Sequence, residues 1–250
     1  MFTPTRPKGR GGFSLVELLV VVAVVALLVA LTGVGLAKAS RASQAASCAG
    51  QLRQLGVAHA MYMNDNRDFF IDVGLTHGGA GSPERSWINT LRGYYGERLV
   101  VRSPGDDSPY WPDAEGGDGQ TVSGQPRLTS YGMNNWLSRT KNPAVRDGEP
   151  FDNLRKVGAP GETVHWVLMA ETGDFAASDH PHVESWDPGP AGAPPVFAAR
   201  QVKTHAWGGE PESWDARSNY GFVDGHVARR SFESVFTNQD ENEFDPSLRR

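Results

Sequence analysis

The apolar positions of this chain are concentrated in one block close to its amino terminus. Residues 13–37 contain 20 apolar side chains among 25 positions. As an α-helix, a segment of this length extends about 37 Å, which exceeds the roughly 30 Å of a bilayer's hydrocarbon core. The pattern therefore predicts a helix over residues 13–37 that spans a membrane once.

After this block the apolar positions recur at helical spacing. Steps of four and three residues place them on one face of a helix. The members of this stripe are Cys48, Leu52, Leu55, His59 and Tyr62. The spacing predicts that the helix continues over residues 38–67, with turn-forming residues 64–68 at its end. His59 is interpreted as a core histidine, and Cys48 as a small buried side chain.

Two later segments have the pattern of β-strands. Residues 164–170 are densely apolar, as expected of a buried strand. Residues 219–232 place the pair Asp224 and Gly225 between two stretches with aromatic residues and valine. This predicts a β-hairpin with a two-residue type I′ turn, in which both central residues have positive φ. We expect an antiparallel sheet against the long helix, an α+β fold, with a globular domain over residues 68–250.

The chain is also rich in residues that favour loops, with 29 glycines and 17 prolines. Residues 103–126 contain five acidic side chains and no lysine or arginine, and residues 185–195 form a second stretch rich in proline and glycine. Both segments are predicted to be long surface loops.

Composition and charge exclude several classes of protein. The chain has 24 basic and 29 acidic side chains, a formal net charge of −5. A protein that binds nucleic acid through phosphate contacts normally has a basic surplus, so we expect no nucleic-acid partner. The hydrophobic content of 39% argues against several membrane spans. A single cysteine excludes a disulfide within the chain and a cysteine-rich zinc site.

A short motif stands at the start of the apolar block. Residues 12–17 read G-F-S-L-V-E, and the preceding segment has three basic and no acidic residues. Glu17 is unexpected there, because a carboxylate within a membrane span costs a few kcal/mol unless it finds a partner. A secretory signal peptide is one alternative, since residues 37–39 fit an A-x-A site for cleavage after Ala39. The apolar block is long for such a signal.

The motif resembles the processing signature of type IV pilin-like proteins, including the pseudopilins of type II secretion. The resemblance implies that residues 1–12 are a leader, which prepilin peptidase removes by cutting between Gly12 and Phe13. It also implies N-methylation of Phe13 and pairing of Glu17 with the terminal amine of a neighbouring subunit. Cleavage removes three positive charges, so the mature side chains have a net charge of 21 − 29 = −8.

The same resemblance implies a location and partners. The chain would cross the inner membrane once, with its amino terminus in the cytoplasm and its globular domain in the periplasm. Its partners would be prepilin peptidase, other pilin-like subunits and the secretion or assembly machinery. The leading hypothesis is a structural subunit of a type II secretion pseudopilus or related filament, and not an enzyme. The alternative is a membrane-tethered binding module or enzyme that acts on extracytoplasmic polysaccharide or protein.

Several blocks resemble a bacterial pilin-like group described by a carboxy-terminal processing-associated motif, H-X9-DG. They are residues 48–56, 60–66, 130–134, 169–172 and 219–227. The resemblance implies that His205, Asp224 and Gly225 form the motif, although 18 residues rather than nine separate His205 from Asp224. An insertion around residues 208–218 is therefore implied. We interpret the Asp-Gly pair as a turn rather than as catalytic residues.

Two acidic segments are candidates for metal binding. The first offers carboxylates for calcium, without the spacing of an EF-hand; its residues are Asp106, Asp107, Asp113 and Asp118. The second offers ligands for a transition metal, although an exposed loop is the preferred interpretation; its residues are Asp179, His180, His182 and Glu184. No other cofactor is expected.

Other chemistry is sparse in the sequence. No Walker A loop, G-x-S-x-G, H-E-x-x-H or C-x-x-C motif occurs. The seven tryptophans all lie outside the apolar block: Trp87, Trp111, Trp136, Trp166, Trp186, Trp207 and Trp214. Exposed tryptophans would suit sugars or a protein partner, whereas core packing accounts for most of them equally well.

Overall fold

The computed structural model describes residues 12–75, 86–95, 101–138, 151–187, 189 and 193–248, without the side chains of residues 30–34. The predicted leader therefore lies outside the described residues except for Gly12, and the predicted membrane segment is described except for the side chains of residues 30–34. The chain divides into two compact units, Met1–Ala42 and Ser43–Arg250.

The long amino-terminal helix, α1, spans Leu15–Asp65. The backbone N–H of Asp68 donates to the carbonyl of Met63 at 2.8 Å, which satisfies one of the last carbonyls of the helix. Arg67 and Asp68 have φ angles of 57° and 65°, the left-handed conformation that stops a helix. The turn predicted over residues 64–68 is confirmed.

In the second unit, the buried face of α1 follows the predicted stripe. Four of its members are at most 1% exposed, namely Cys48, Leu52, Leu55 and His59. Tyr62 is half-buried at the end of the same face. This face packs in one apolar cluster with side chains of the sheet, among them Tyr131, Met133 and Trp166.

Four antiparallel strands form the main sheet in the order β1-β2-β3-β4. Their bounds are Tyr131–Met133, Val164–Leu168, Arg217–Phe222 and Val227–Ser231. The smaller sheet pairs β5, Phe236–Asn238, with β6, Glu241–Asn242. The other α-helices in the described part of the chain are α2, Trp87–Tyr95; α3, Pro194–Ala199; and α4, Phe232–Val235. The α+β fold is confirmed, and β2 is the strand predicted over residues 164–170.

The sheet lies between two apolar clusters. Strand β2 supplies Trp166 to the cluster that contains α1, and Val167 to the other cluster. The second cluster is rich in aromatic rings: Trp186 packs edge-on against Phe244 at 5.0 Å and against Phe236 at 5.4 Å between centroids. Because adjacent residues of a strand point to opposite faces, one short strand joins both cores.

The predicted hairpin forms between β3 and β4, but its turn differs from the prediction. The loop has three residues, 223–225, and the N–H of Phe222 donates to the carbonyl of His226 at 2.9 Å. Gly225 has a φ of 90°, whereas Asp224 does not have a positive φ. The type I′ prediction is therefore wrong. An Asp-Gly pair suits both turns, since glycine supplies the left-handed residue of a three-residue loop as well.

The two segments predicted as surface loops are partly buried. Within residues 103–126, the buried side chains are Ser103, Asp106, Ser108, Trp111 and Val122. Within residues 185–195, Trp186 lies in the second cluster. The prediction is wrong at these positions, because polar side chains can be buried once they find hydrogen-bond partners.

Candidate functional site

The start of α1 is a capping box. The backbone N–H of Ser14 donates to Glu17 Oε2 at 2.9 Å, and the backbone N–H of Glu17 donates to Ser14 Oγ at 3.2 Å. The two side chains thus satisfy two N–H groups that the first helical turn leaves without partners. Ser14 is a site residue that the sequence interpretation missed. The S-x-x-E pattern before an apolar run is the signal that identifies it.

Gly12 and Phe13 precede the helix as exposed, non-helical residues. Among the described residues, which begin at Gly12, a Cβ atom at this position would meet no atom within 4 Å. The alternative cleavage site, after Ala39, lies inside α1 instead.

The first part of α1 is apolar on every side. The large apolar side chains between Phe13 and Val29 are 50–79% exposed. A helix with such a surface needs a cover of lipid or protein. Within the described residues, which exclude the side chains of residues 30–34, none of the helices is both apolar and long enough for a bilayer crossing.

The predicted carboxy-terminal motif residues do not come together around His205. Asp224 Oδ1 accepts a hydrogen bond from the backbone N–H of His226 at 3.0 Å and lies 2.6 Å from His226 Nδ1. The His226 ring stacks on Phe222 with 4.2 Å between centroids. His205 is exposed, and in the described part of the chain no hydrogen bond joins its side chain to Asp224.

Gly225 lies directly against α1. A Cβ atom at Gly56 of the helix would be 3.4 Å from Gly225 Cα. The hairpin can approach α1 this closely because both contact residues lack side chains. The Asp-Gly pair therefore shapes a turn that packs on the helix, as the structural interpretation of these residues expects.

The calcium candidates are separated in the structure. Asp107, Asp113 and Asp118 are exposed, whereas Asp106 is buried against Arg127, with 2.7 Å between Oδ2 and the guanidinium. Burial alone would raise the pKa of Asp106, but the charge of Arg127 and the hydrogen bonds to Asp106 outweigh it and lower the pKa. The described residues contain no group of three or more His, Cys, Asp or Glu that could hold a metal ion.

The second acidic segment supplies polar contacts within the second unit, Ser43–Arg250, which we call the outer domain. Buried Asp179 accepts hydrogen bonds from the backbone N–H groups of Gly74 and Leu75 at 3.0 and 3.1 Å. It also accepts one from Ser86 Oγ at 3.0 Å. Glu184 accepts a hydrogen bond from Asn135 Nδ2 at 3.0 Å and lies 2.7 Å from His182 Nδ1. These carboxylates therefore hold neighbouring segments together, and the segment is not a plain exposed loop.

Most tryptophans belong to the core. Five are almost completely buried: Trp87, Trp111, Trp136, Trp166 and Trp186. Trp207 is half-buried, and Trp214 is 37% exposed. The tryptophans therefore do not form a shared binding surface, and core packing accounts for the five buried rings.

A buried pair of histidines joins α1 to β2. The rings of His59 and His165 lie 4.5 Å apart between centroids. His59 Nε2 accepts a hydrogen bond from the backbone N–H of Ile71 at 3.1 Å, so the proton of the neutral ring is on Nδ1. Burial lowers the pKa of His59 to about 3 and lowers that of His165 well below its ordinary value. Helical spacing identified His59, whereas no pattern in the sequence pointed to its partner.

Comparison with known proteins gives one result, at the amino terminus. Residues 7–33 match the prokaryotic N-terminal methylation motif. No curated protein and no solved structure matches the chain. The motif implies a prepilin-like protein that prepilin peptidase processes and that is anchored in the inner membrane before assembly. The chain therefore carries the amino-terminal methylation motif of type IV pilins and pseudopilins.

Proposed function

We propose that this chain is a pilin-like structural subunit of a type II secretion pseudopilus or a related filament. Prepilin peptidase cuts between Gly12 and Phe13, and Phe13 is N-methylated. Residues 13–37 cross the inner membrane once, with the amino terminus in the cytoplasm and the outer domain in the periplasm. Subunits then assemble through α1, and the role is structural rather than catalytic.

One observation carries the proposal: the methylation motif coincides with the start of a helix whose apolar side chains are exposed on all sides. The outer domain, by contrast, has its own apolar cores. A helix with this surface is stable where lipid or neighbouring helices cover it. Under the proposal, lipid covers the apolar side chains of this helix before assembly, and neighbouring subunits cover them afterwards.

Glu17 has a defined part in this assembly. In the single chain its carboxylate caps its own helix through the N–H of Ser14. In the filament it pairs with the methylated amine of Phe13 in an adjacent subunit, because an apolar setting favours an ionised carboxylate only beside an opposite charge. Assembly thus exchanges a hydrogen bond within one chain for an ion pair between two chains.

Mass spectrometry of the mature amino terminus tests the processing step. We expect N-methylated Phe13 as the first residue, and Gly12→Leu should leave the leader uncleaved. Gly11→Ala is the matched control, because it changes a glycine beside the cleavage site and should be processed normally. A mature terminus at Ser40 would contradict the proposal and support signal-peptide cleavage.

Cross-linking of membrane and sheared-filament fractions tests assembly. Glu17→Ala should be processed normally but yield no higher-order cross-linked species. Glu115→Ala removes an exposed carboxylate of the outer domain and should assemble like the wild type. Normal assembly of Glu17→Ala would contradict the role of Glu17. An absence of higher-order cross-linked species in the wild type would overturn the filament role and favour a tethered binding module.

A further inference from the structure

An open cleft lies on the outer domain, and no residue of α1 lines it. It is bounded by the loop after β2, by the carboxy-terminal end of α3 and by Glu212, and its volume is about 610 Å³. Sites for small ligands usually occupy about 300–1,000 Å³ and combine apolar walls with a few fixed polar groups. The cleft has a suitable size, so its chemistry decides what it can bind.

One of the residues that line the cleft, Gln201, has a side-chain amide held by hydrogen bonds. Gln201 is 7% exposed; its Oε1 accepts from the backbone N–H of His182 at 2.7 Å, and its Nε2 donates to Ser185 Oγ at 2.8 Å. Ser185 Oγ in turn donates to the His182 carbonyl at 2.7 Å. The amide has a second N–H and the hydroxyl a second lone pair for a ligand. Gln201 and Ser185 both line the cleft, and these hydrogen bonds fix the orientation of the amide and of the hydroxyl.

Two phenylalanine rings form the walls. Phe197 has the guanidinium carbon of Arg200 at 4.8 Å from its ring centroid, and Phe175 packs edge-on to His182 at 6.0 Å. Both rings are half-buried and line the cleft. Such contacts hold aromatic rings in place, so the flat apolar surfaces exist before a ligand arrives.

The rim carries charges of both signs. Asp174 and Glu212 supply carboxylates that accept hydrogen bonds, and Arg200 supplies N–H groups that donate them. All three side chains are exposed. A ligand with one dominant charge would meet a like charge somewhere on this rim, whereas a neutral ligand with hydroxyl groups can use both donors and acceptors.

We propose that this cleft binds a neutral oligosaccharide. A sugar ring has apolar C–H faces for Phe175 and Phe197, and hydroxyl groups at its edge for Gln201 and the charged rim. Binding adds a function to the outer domain beyond filament assembly and does not depend on it. The tryptophans do not take part, because none of them lines the cleft.

Calorimetric titration of the full-length chain tests this, in a detergent without a sugar headgroup. The probes are short β-1,4-linked oligomers of glucose, xylose, mannose and N-acetylglucosamine. We expect at least one to bind with a Kd below about 1 mM. Phe175→Ala and Phe197→Ala should each weaken that binding by about tenfold. Trp214→Ala removes an exposed ring outside the cleft and should leave the Kd unchanged within about twofold.

Exposed rim variants keep the test valid if the phenylalanine variants fold poorly. Asp174→Asn and Glu212→Gln should retain the wild-type thermal transition and weaken sugar binding by about threefold, because a neutral acceptor forms weaker hydrogen bonds. The proposal fails if no oligomer binds at about 1 mM, or if cleft variants bind as the wild type does. It also fails if tetra-arginine binds instead and Asp174→Asn abolishes that binding, which would assign the cleft to basic peptides. Filament assembly is measured separately and is unaffected by any of these outcomes.

Discussion

The two parts of α1 differ in where their stabilising contacts come from. Between Phe13 and Val29 the large apolar side chains are exposed on every side. Between residues 43 and 65 the helix has one buried stripe that packs in the core of the outer domain. The second part is thus stabilised within its own chain, whereas the first part needs a surface from outside. One continuous helix can therefore serve assembly at one end and folding at the other.

The outer domain also buries charged and polar groups, which the first part of α1 does not do in its described residues. Arg127 and Asp106 form a buried ion pair, and Arg127 also donates to the carbonyl of Ala170 at 2.7 Å. Such groups stabilise a fold only when each keeps its partners. The outer domain should therefore be sensitive to single changes, while the exposed helix should tolerate them until it has to assemble.

The largest loss of stability should come from removing the buried ion pair. Asp106→Ala leaves the guanidinium of Arg127 buried without its counter-charge, which should destabilise the outer domain by about 3–5 kcal/mol. Asp107→Ala removes the neighbouring exposed carboxylate and should change stability by about 0.5 kcal/mol or less. Denaturant unfolding of the full chain, followed by tryptophan fluorescence, measures both. Similar stabilities of the two variants would contradict a structural role for the pair.

A matched pair of leucines compares the two parts of α1 directly. Leu55→Ala should destabilise the outer domain by about 2–5 kcal/mol, because it leaves a cavity in the core. Leu19→Ala removes an exposed side chain of the same kind and should leave the unfolding transition of the outer domain unchanged. Equal losses of stability would show that the exposed part of α1 contributes to the fold of the outer domain.

The sequence predicts those features that depend on local spacing. The stripe from Cys48 to Tyr62 identifies the buried helix face, because helical periodicity reports which side is covered. The hairpin is also predictable, since an Asp-Gly pair between strand-like stretches indicates a turn. The length of the hairpin loop cannot be predicted, because it depends on how β3 and β4 align in the sheet. The ion pair between Asp106 and Arg127 cannot be predicted either, because the two residues come into contact only when the chain folds.

In the candidate site, the methylation motif can be predicted from the sequence because enzymes recognise it as a short linear pattern. The capping box of Ser14 and Glu17 can also be predicted, because its two residues are three positions apart in the sequence. The cleft around Gln201 cannot be predicted from the sequence, because its walls come from α3 and from the loop after β2, which are separate in the sequence. The pair His59 and His165 likewise joins a helix to a strand that local patterns cannot align.

That histidine pair makes the stability of the outer domain depend on pH. The pKa of each ring is lower in the folded chain than in the unfolded one, so the unfolded chain binds more protons below about pH 6.5. The pair's contribution to stability is complete above that pH and declines as the pH falls toward the folded value of about 3 for His59. Between pH 7 and 5.5 the loss should be about 1 kcal/mol for each histidine.

Unfolding measured at several pH values separates this effect from other groups. A double variant with His59→Gln and His165→Gln should lose most of the pH dependence between pH 7 and 5.5. Leu19→Ala removes an exposed side chain that does not titrate and should keep the wild-type dependence. Since Asp106 and Glu184 have lowered pKa values, they titrate below this window. An unchanged slope in the double variant would contradict the assignment.

Substitutions of two glycines in the outer domain should have small effects on stability, in opposite directions. Gly225 has a φ of 90°, so Gly225→Ala strains the hairpin and should cost about 1–2 kcal/mol. Gly50 lies in α1 with no atom within 4 Å of an added Cβ, so Gly50→Ala should stabilise by about 0.5–1 kcal/mol. Thermal unfolding measures both variants. A higher melting temperature for Gly50→Ala would show that the low helix propensity of Gly50 reduces the stability of the outer domain. Stabilisation by both would mean that the hairpin tip is not held in its left-handed conformation.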